Sequence, residues 1–487
     1  SVVHVDPLHG SNLHTMFKAG VKPGWDQYKQ LVFAPMLLKD STGRTITTPV
    51  TRSYSEGLDV SGYWTQMHGA RSGSVQKVQA VQDPGYLSKL LMQSSVDTLV
   101  SSHDCGTKRG VLLPVADDDV HDRVLAADYH TDKLHIPAGT MLNPRTVGQI
   151  RAVDHGAKLL VRSPMRCEHG EGICQKCAGL SSSGQPHPIG ANIGVHAAQA
   201  VGERAVQLML KAFHTGGVAV VGGGSKTLGA FDRLNQLTGL PEKIPHSATL
   251  AMKSGKVEEI RHTPTGVHVV VAGKSHFVGK DPAGHPLHEP HGPSDWSGLK
   301  VGQHVAAGDH LSDPHRTVVN PHRLYEATGS MERVQNHLAD EVFKLYKGEG
   351  ILRKHVEVVV RNMSNLTKVT DPGDASGILR GEFKPASSVH ALNKHLLAAG
   401  RQPVEHTPVL RGVSTMPQAI QEDWMAKLQH MGLRSTLVNA AAEGAVSHLH
   451  GAHPIPGLAY GAEFGLNKAH SNLPGRRHLS DVKEYHY

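Results

Sequence analysis

The hydrophobic pattern is most strongly helical over residues 194–217, GVHAAQAVGERAVQLMLKAFHTGG. Apolar side chains recur at Val201, Ala205, Leu208, Ala212 and Phe213, on one face of a 3.6-residue period. Ala, Gln, Leu and Met are good helix formers. His214, Thr215, Gly216 and Gly217 end the pattern, and glycine accepts the backbone angles of a hinge at little cost. Gln207, Lys211 and His214 stand at i, i+4 and i+7 and so share one face. That face suits an anionic substrate: Lys211 meets phosphate oxygens as a point charge, and His214 donates a hydrogen bond or a proton. The same residues also read as a surface helix with a solvated polar face and a glycine stop.

A second strong signal covers residues 61–107, a helix and the segment after it, and the helix carries residues that a packing helix avoids. Gly69, Gly73 and Gly85 each cost about 1 kcal/mol in a helix interior, and Pro84 about 3 kcal/mol. The pattern predicts a kink or break at Pro84, with two short helices joined at Asp83–Pro84 as the simpler form. Residues 1–60 are turn-rich, and residues 108–160 read as short strands and turns. Alternating Val and His with glycine turns predict a small β domain over 231–325, with a surface loop at 281–298. A helix is predicted over Met331–Tyr346, and HVEVVVRNM, His355–Met363, reads as a strand. The last thirty or so residues are basic and polar and read as a tail or docking segment.

The chain has 487 residues, enough for several domains. Lys plus Arg total 50 against 43 Asp plus Glu, a net charge of +7 that suits a nucleic-acid partner without demanding one. No run of about 18 apolar residues occurs, so no membrane span is expected. Ser1 opens a polar segment without a signal-peptide pattern, which fits removal of Met or proteolytic processing.

Four cysteines occur: Cys105, Cys167, Cys174 and Cys177. The last three sit in VRSPMRCEHGEGICQKCAGL, where C-x2-C lets two thiolates share one tetrahedral ion and Gly170, Gly172 and Gly179 permit a tight loop. The fourth ligand is not local; His169 and Cys105 are the candidates. A redox C-x-x-C and spare buried thiols are the rival readings. Gly224-Ser225-Lys226-Thr227 hints at a phosphate loop, but its register fails.

These stretches resemble the largest catalytic subunit, beta-prime, of bacterial-type multisubunit RNA polymerases. Residues 194–217 are similar to its trigger loop, G-x-x-A-A-Q-S-I-G-E-P-x-x-Q-L-T-M-R-T-F-H-x-G-G. Gly194, Ala197, Ala198, Gln199, Gly202, Glu203, Gln207, Leu208, Phe213, His214, Gly216 and Gly217 match without a gap. Arg204 replaces the Pro, Leu210 the Met that packs on the incoming base, and Lys211 the phosphate-contacting Arg, which keeps the charge but loses the fork. Met67–Thr107 resembles the bridge helix and the segment after it, sharing His68, Gly69, Ala70, Arg71, Gly73, Gly85, Tyr86, Leu87, Leu91, Asp97 and Asp104–Thr107. Ala19–Leu31, Thr48–Val50 and Glu56–Val60 resemble the segments leading into that helix. Leu299–Pro314 and His355–Met363 resemble later parts of the same region.

The fold class this implies is α+β, a multi-segment beta-prime C-terminal region. It would comprise a leading segment at 1–60, the bridge helix at 61–100, a zinc-binding region at 101–190 and the trigger loop at 191–230. A β-rich domain at 231–325, a C-terminal α/β and switch- or clamp-like region at 326–460 and a tail at 461–487 would complete it. The resemblance supplies Cys105 as the fourth ligand of a structural Zn2+ with Cys167, Cys174 and Cys177. The acidic run Asp117, Asp118 and Asp119 is not the family's magnesium motif N-A-D-F-D-G-D and is expected to form a solvated turn.

Because that motif is absent, Mg2+ would be held mainly by a partner, the N-terminal half of a split beta-prime, beside beta-like subunits. The implied activity is a DNA-directed RNA polymerase, a nucleotidyltransferase acting on DNA template, RNA transcript and nucleoside triphosphates, with no membrane involved. Gln207 and Leu210 would frame the incoming nucleotide, Lys211 and His214 neutralise phosphate charge, and Arg71 lie along template and RNA end. The divergence points to a large bacteriophage and the host bacterial cytoplasm, with packaging in the virion left open. A non-catalytic nucleic-acid-binding zinc scaffold, and a free-standing zinc regulator, are the alternatives.

Overall fold

The computed structural model describes residues 10–19, 25–38, 40, 44–181, 183–213, 230–244, 247–281, 284–290, 296–347, 350–416, 424–428, 433–447, 462–463 and 477–478. In chain order its helices are α1 Asn12–Lys18, α2 Trp25–Val32, α3 Val60–Ala80, α4 Gln82–Ser95, α5 Pro144–Val153, α6 Gln175–Ala178 and α7 Ile193–Phe213. They continue with α8 Ala230–Gly239, α9 Pro321–Thr328, α10 Met331–Leu345, α11 Arg353–Ser364, α12 Ala386–Ala398, α13 Trp424–Lys427 and α14 Leu433–Glu443. The strands that concern the site are β1 Val100–Ser102, β2 Val111–Pro114, β3 Tyr129–Thr131, β4 Leu134–Ile136, β5 Lys158–Val161 and β6 Ile173–Cys174. Beyond them lie β7 Gly255–Thr263, β8 Gly266–Val271, β9 Lys274–Gly279, β10 His304–Val305, β11 Leu366–Asp371, β12 Phe383–Pro385 and β13 Glu405–Val409. Helix and strand are mixed, as an α+β class requires. No described helix is long and apolar enough to cross a membrane.

The chain divides into two compact units, one of Ser1–Leu87 with Glu203–Arg233 and one of Ser88–Gly202 with Leu234–Tyr487. In the first, Phe17 stacks on the buried Tyr28 at 4.9 Å, and Met36 and Val50 exchange backbone hydrogen bonds of 3.0 and 2.7 Å. Asp59 accepts from the Gly62 amide at 2.8 Å and so starts α3. The helix breaks at Val81 and resumes at Gln82, which places Pro84 in the first turn of α4, where a missing N–H costs nothing. The break is therefore three residues before the position that the sequence pattern marks.

The second unit is organised on α11. The sequence pattern makes residues 355–363 a strand; they form a helix. Val356, Val359, Val360 and Met363 follow i, i+3, i+4 and i+7 and face the apolar side chains of α10, while Arg353, Glu357 and Arg361 follow i, i+4 and i+8. Two stripes at helical spacing override the strand preference of three consecutive valines, because both stripes find partners only in the helix. Another helix, α5, stands inside the 108–160 stretch read as strands and turns; Asn143 caps it and Pro144 begins it. The β10-β7-β8-β9 sheet forms where the Val alternation is strongest, over its own core of Val257, Val267, Val269, Val271 and Val278. A second sheet, β12-β11-β13, is backed by α12.

Glu357 is fully buried and accepts four hydrogen bonds: from Arg123 Nη1 and Nη2 at 2.7 and 2.9 Å, Ser163 Oγ at 2.7 Å and Arg353 Nε at 3.2 Å. Burial pushes its carboxyl up, but the Arg123 guanidinium outweighs it and the pKa ends below the ordinary glutamate value. The acidic run sits beside this network and is not a solvated turn throughout. Asp118 is exposed and pairs with Arg151 at 3.4 Å, but Asp119 is buried and accepts the Arg353 amide at 2.7 Å.

Two outcomes are expected from α11. Glu357→Gln leaves Arg123 buried without its counter-charge and should destabilise the unit by about 3–5 kcal/mol in denaturant unfolding. His355 is held down to about 4 by burial, below its ordinary value, so the unfolded chain binds the proton first as pH falls. Stability carried by the neutral ring is complete above roughly pH 6.5 and declines toward pH 4. His355→Leu should flatten that decline by about 2–3 kcal/mol, read from melts across the range.

Candidate metal centre and the helices beside it

Strand pairing assembles the cysteines. Parallel β1 and β6 align Ser102 with Cys174, so the loop after β1 carries Cys105 to the end of β6. Cys167 follows the 3-10 turn Pro164–Arg166, and the short helix α6 sets Cys177 one turn beyond Cys174. Gly172 and Gly179 have φ of +63° and +76°, and a Cβ on either would lie 2.3 Å from the Leu99 carbonyl or 2.4 Å from that of Asp122. The tight loop therefore needs both glycines.

The four Sγ atoms lie within 4.8 Å of one another, and Cys105 Sγ is 3.7 Å from Cys177 Sγ. Four sulfurs at about 2.3 Å from one tetrahedral ion would sit about 3.8 Å apart. No disulfide joins them. Three are buried and Cys105 is half-buried, a closed, all-sulfur site of the structural kind, compatible with zinc. His169 is not in the cluster, and convergence of all four thiols favours a metal site over the spare-thiol and two-cysteine redox readings.

The electrostatics point the same way. Hydrogen bonds from the other three thiols pull Cys105 far below the ordinary thiol range, and the same contacts push Cys177 well above it. Without an ion the cluster thus shares protons unequally among its sulfurs, and holding all four as thiolates would need a cation between them. Two arginines that sequence reading missed stand beside the cluster. Arg162 Nη2 is 3.6 Å from Cys105 Sγ and also donates to Asp104, while buried Arg361 donates from Nη2 to the Gly172 carbonyl at 2.8 Å. Neither has a local sequence signal, since Arg361 comes from α11, 189 residues after Gly172.

The N-terminal part of α7 is packed on this centre. Ile193 and Ala197 are buried in one cluster with Cys167, Cys174, Cys177 and Val358 of α11. Asn192 Oδ1 accepts from the Val195 amide at 2.9 Å, and Asn192 Nδ2 donates to the Val96 carbonyl at 2.7 Å. A Cβ on Gly194 would lie 1.8 Å from the Ser95 carbonyl, and one on Gly202 would lie 2.5 Å from Ser88 Oγ. The two helices α4 and α7 thus meet at glycine, where only a missing side chain lets the backbones approach.

Of the residues singled out for chemistry, Gln207 is half-buried on α7 and accepts from Arg204 Nη1 at 2.8 Å. Arg71 is exposed on α3. No hydrogen bond joins Arg71 to Gln207 among the described residues. Leu210 and Lys211 lie on the α7 backbone, their side chains outside what is described, and His214 lies outside the described residues. Asp117, Asp118 and Asp119 do not converge on a common point for a divalent ion: the first caps the turn, the second reaches Arg151 and the third faces Arg353.

Residues 57–385 match the family model described as RNA polymerase Rpb1, domain 5. The chain is 31% identical over 463 residues to the DNA-directed RNA polymerase subunit beta′ of Thermus thermophilus, covering 90% of this chain and 29% of that protein. It is 32% identical to the Thermus aquaticus subunit over the same shares, and 30% identical to that of Kineococcus radiotolerans, covering 97% of this chain and 36% of the relative. The chain spans about a third of the length of the curated relatives it matches.

Cys174→Ser should abolish the bound metal, about one ion per chain in the parent by elemental analysis, whereas His169→Ala should retain it. Loss with both variants would mean that the four-sulfur set is not the site.

Proposed function

The chain belongs to the RNA polymerase beta-prime family, and from that premise we propose that it carries the bridge helix and trigger loop of a DNA-directed RNA polymerase. In this reading α3 and α4 form the bridge helix, and α7 with the residues after it forms the trigger loop. One observation carries the assignment most directly. Gly194 and Gly202, two glycines of the family pattern, stand where α7 touches α4, so the pattern has a steric reason in this chain.

The chemistry would be nucleotidyl transfer on a DNA template, and this chain would contribute positioning. The C-terminal part of α7 would cover the nucleoside triphosphate, with Gln207 and Leu210 against base and sugar. Lys211 and His214 would offset charge developing on the phosphates. Arg71 and the glycines of α3 would lie along the template and the RNA end. Such ordering of reactants supplies a large part of a rate, and folding of the covering helix would gate it. The N-A-D-F-D-G-D motif is not in this sequence and the Asp117–Asp119 run does not replace it. The magnesium-binding carboxylates would come from a part of the polymerase outside this sequence, alongside beta-like subunits. The cysteine centre would hold zinc and join the segment after the bridge helix to the start of the trigger loop.

Identity near 30% and the replacements Leu210 and Lys211 support a strongly diverged source, which we take to be a large bacteriophage transcribing its genes in the host bacterial cytoplasm. The same replacements favour, as a second reading, a scaffold that binds nucleic acid without catalysis. The two separate in a complex of this chain with its partner chains. His214→Ala should slow single-nucleotide addition about 100-fold while DNA affinity stays within about twofold. Equal loss of both would favour the scaffold.

A further inference from the structure

A buried phenol stands beneath the point where α7 leaves the second compact unit. Tyr346 is the C-cap of α10 and only 1% exposed. Its hydroxyl donates to the Val201 carbonyl of α7 at 2.9 Å. Burial drives its ionisation far above the usual phenol range, so it remains a donor throughout the working pH. On the next residue, Gly202, α7 meets Ser88, whose Oγ lies 2.5 Å from the place of the missing Cβ. Ser88 and Gly202 are also the residues at which α4 and α7 leave the second unit. Both crossings are thus joined within that unit.

Val201 is buried among apolar side chains of α8, α10 and α11. A cavity of about 10 Å3 lies there, lined by Val201, Leu237, Leu338, Val342, Val356 and Met363. Apolar packing fixes no direction along the helix, and the phenol hydroxyl adds a directional bond to it. On the other side of Gly202, Glu203 is exposed and Arg204 is bonded to Gln207, three residues on in the same helix.

We propose that Tyr346, with Ser88, clamps α7 at Val201–Gly202 and so sets the pivot from which residues 203–213, with Gln207 and Lys211, reach the nucleotide. Tyr346 is a positioning residue in this scheme, which rests on the polymerase reading above.

Tyr346→Phe removes the hydroxyl and keeps the ring. Hydrogen exchange on the full chain should show the amides of 202–206 exchanging about fivefold faster, with those of 193–198 unchanged. An equal rise in both stretches, or none, would overturn the clamp. Gly202→Ala forces a methyl against Ser88 and should act in the same direction, which keeps the test open if the Phe variant folds poorly. In the complex with partner chains, counted per active site, Tyr346→Phe should raise KM for the nucleotide and lower kcat, reducing kcat/KM about five- to tenfold. A merely structural defect would lower the active fraction and leave KM alone. Faster exchange with unchanged kcat/KM would overturn the positioning role. A parent complex that adds no nucleotide would sink the polymerase reading, while exchange would still decide the clamp.

Discussion

The second unit depends on one buried charge. Glu357 has no exposed surface, and its two oxygens are committed to Arg123, Arg353 and Ser163. Two cations around one carboxylate, in fork geometry, offset a desolvation cost that a single exposed pair would not justify. The arrangement is also demanding in direction. Arg123 must come from the loop after the 3-10 turn, Arg353 from the start of α11 and Ser163 from the strand end before Cys167. Once these meet, the rotation of α11 about its axis is set.

That rotation positions the rest. With Glu357 turned toward Arg123, Val358 falls into the cysteine cluster and Arg361 reaches the Gly172 carbonyl in the cysteine loop. On the same helix Asn362 Oδ1 accepts from Thr98 Oγ1 at 3.1 Å, just after α4. The cysteine centre, the end of α4 and the beginning of α7 are therefore held around a single helix. A metal at the four sulfurs would tighten an arrangement that the charge network already orients. Such an ion would act on Cys105 and the 167–177 loop, whereas the network acts on α11 and the strands before it.

The proposed chemistry uses this rigidity unequally. The N-terminal part of α7 is buried against sulfur and glycine contacts; beyond the Gly202 crossing Ala205 and Leu208 are buried too, while Glu203 is exposed and Gln207 half-buried. A helix packed along one face can still offer its partly open face to a substrate without reorganising the whole unit. The glycines that permit the close approach, Gly194 and Gly202, do so by absence of a side chain rather than by unusual backbone angles, since neither has a positive φ.

Much of this was legible in sequence because it is local. The helical period of 194–213, the C-x2-C with its glycines, the Val alternation of the β7–β9 sheet and the helix at Met331 depend on neighbours a few residues away. The motif resemblance added Cys105, and the cluster contains it. Other features are set by distant partners. The valine run of α11 has strand propensity, and it is helical because Glu357 and Arg361 must meet Arg123 and Gly172, which lie 234 and 189 residues away in the chain. The break at Val81, the burial of Asp119, the two arginines beside the thiols and the Tyr346 bond to Val201 likewise arise from contacts with no short-range pattern. Periodicity and ligand spacing thus determined which elements and which sulfur donors the chain offers. Which way each element turns, and which buried charges accept one another, was decided only by tertiary structure, because desolvation penalises every arrangement in which those charges fail to meet.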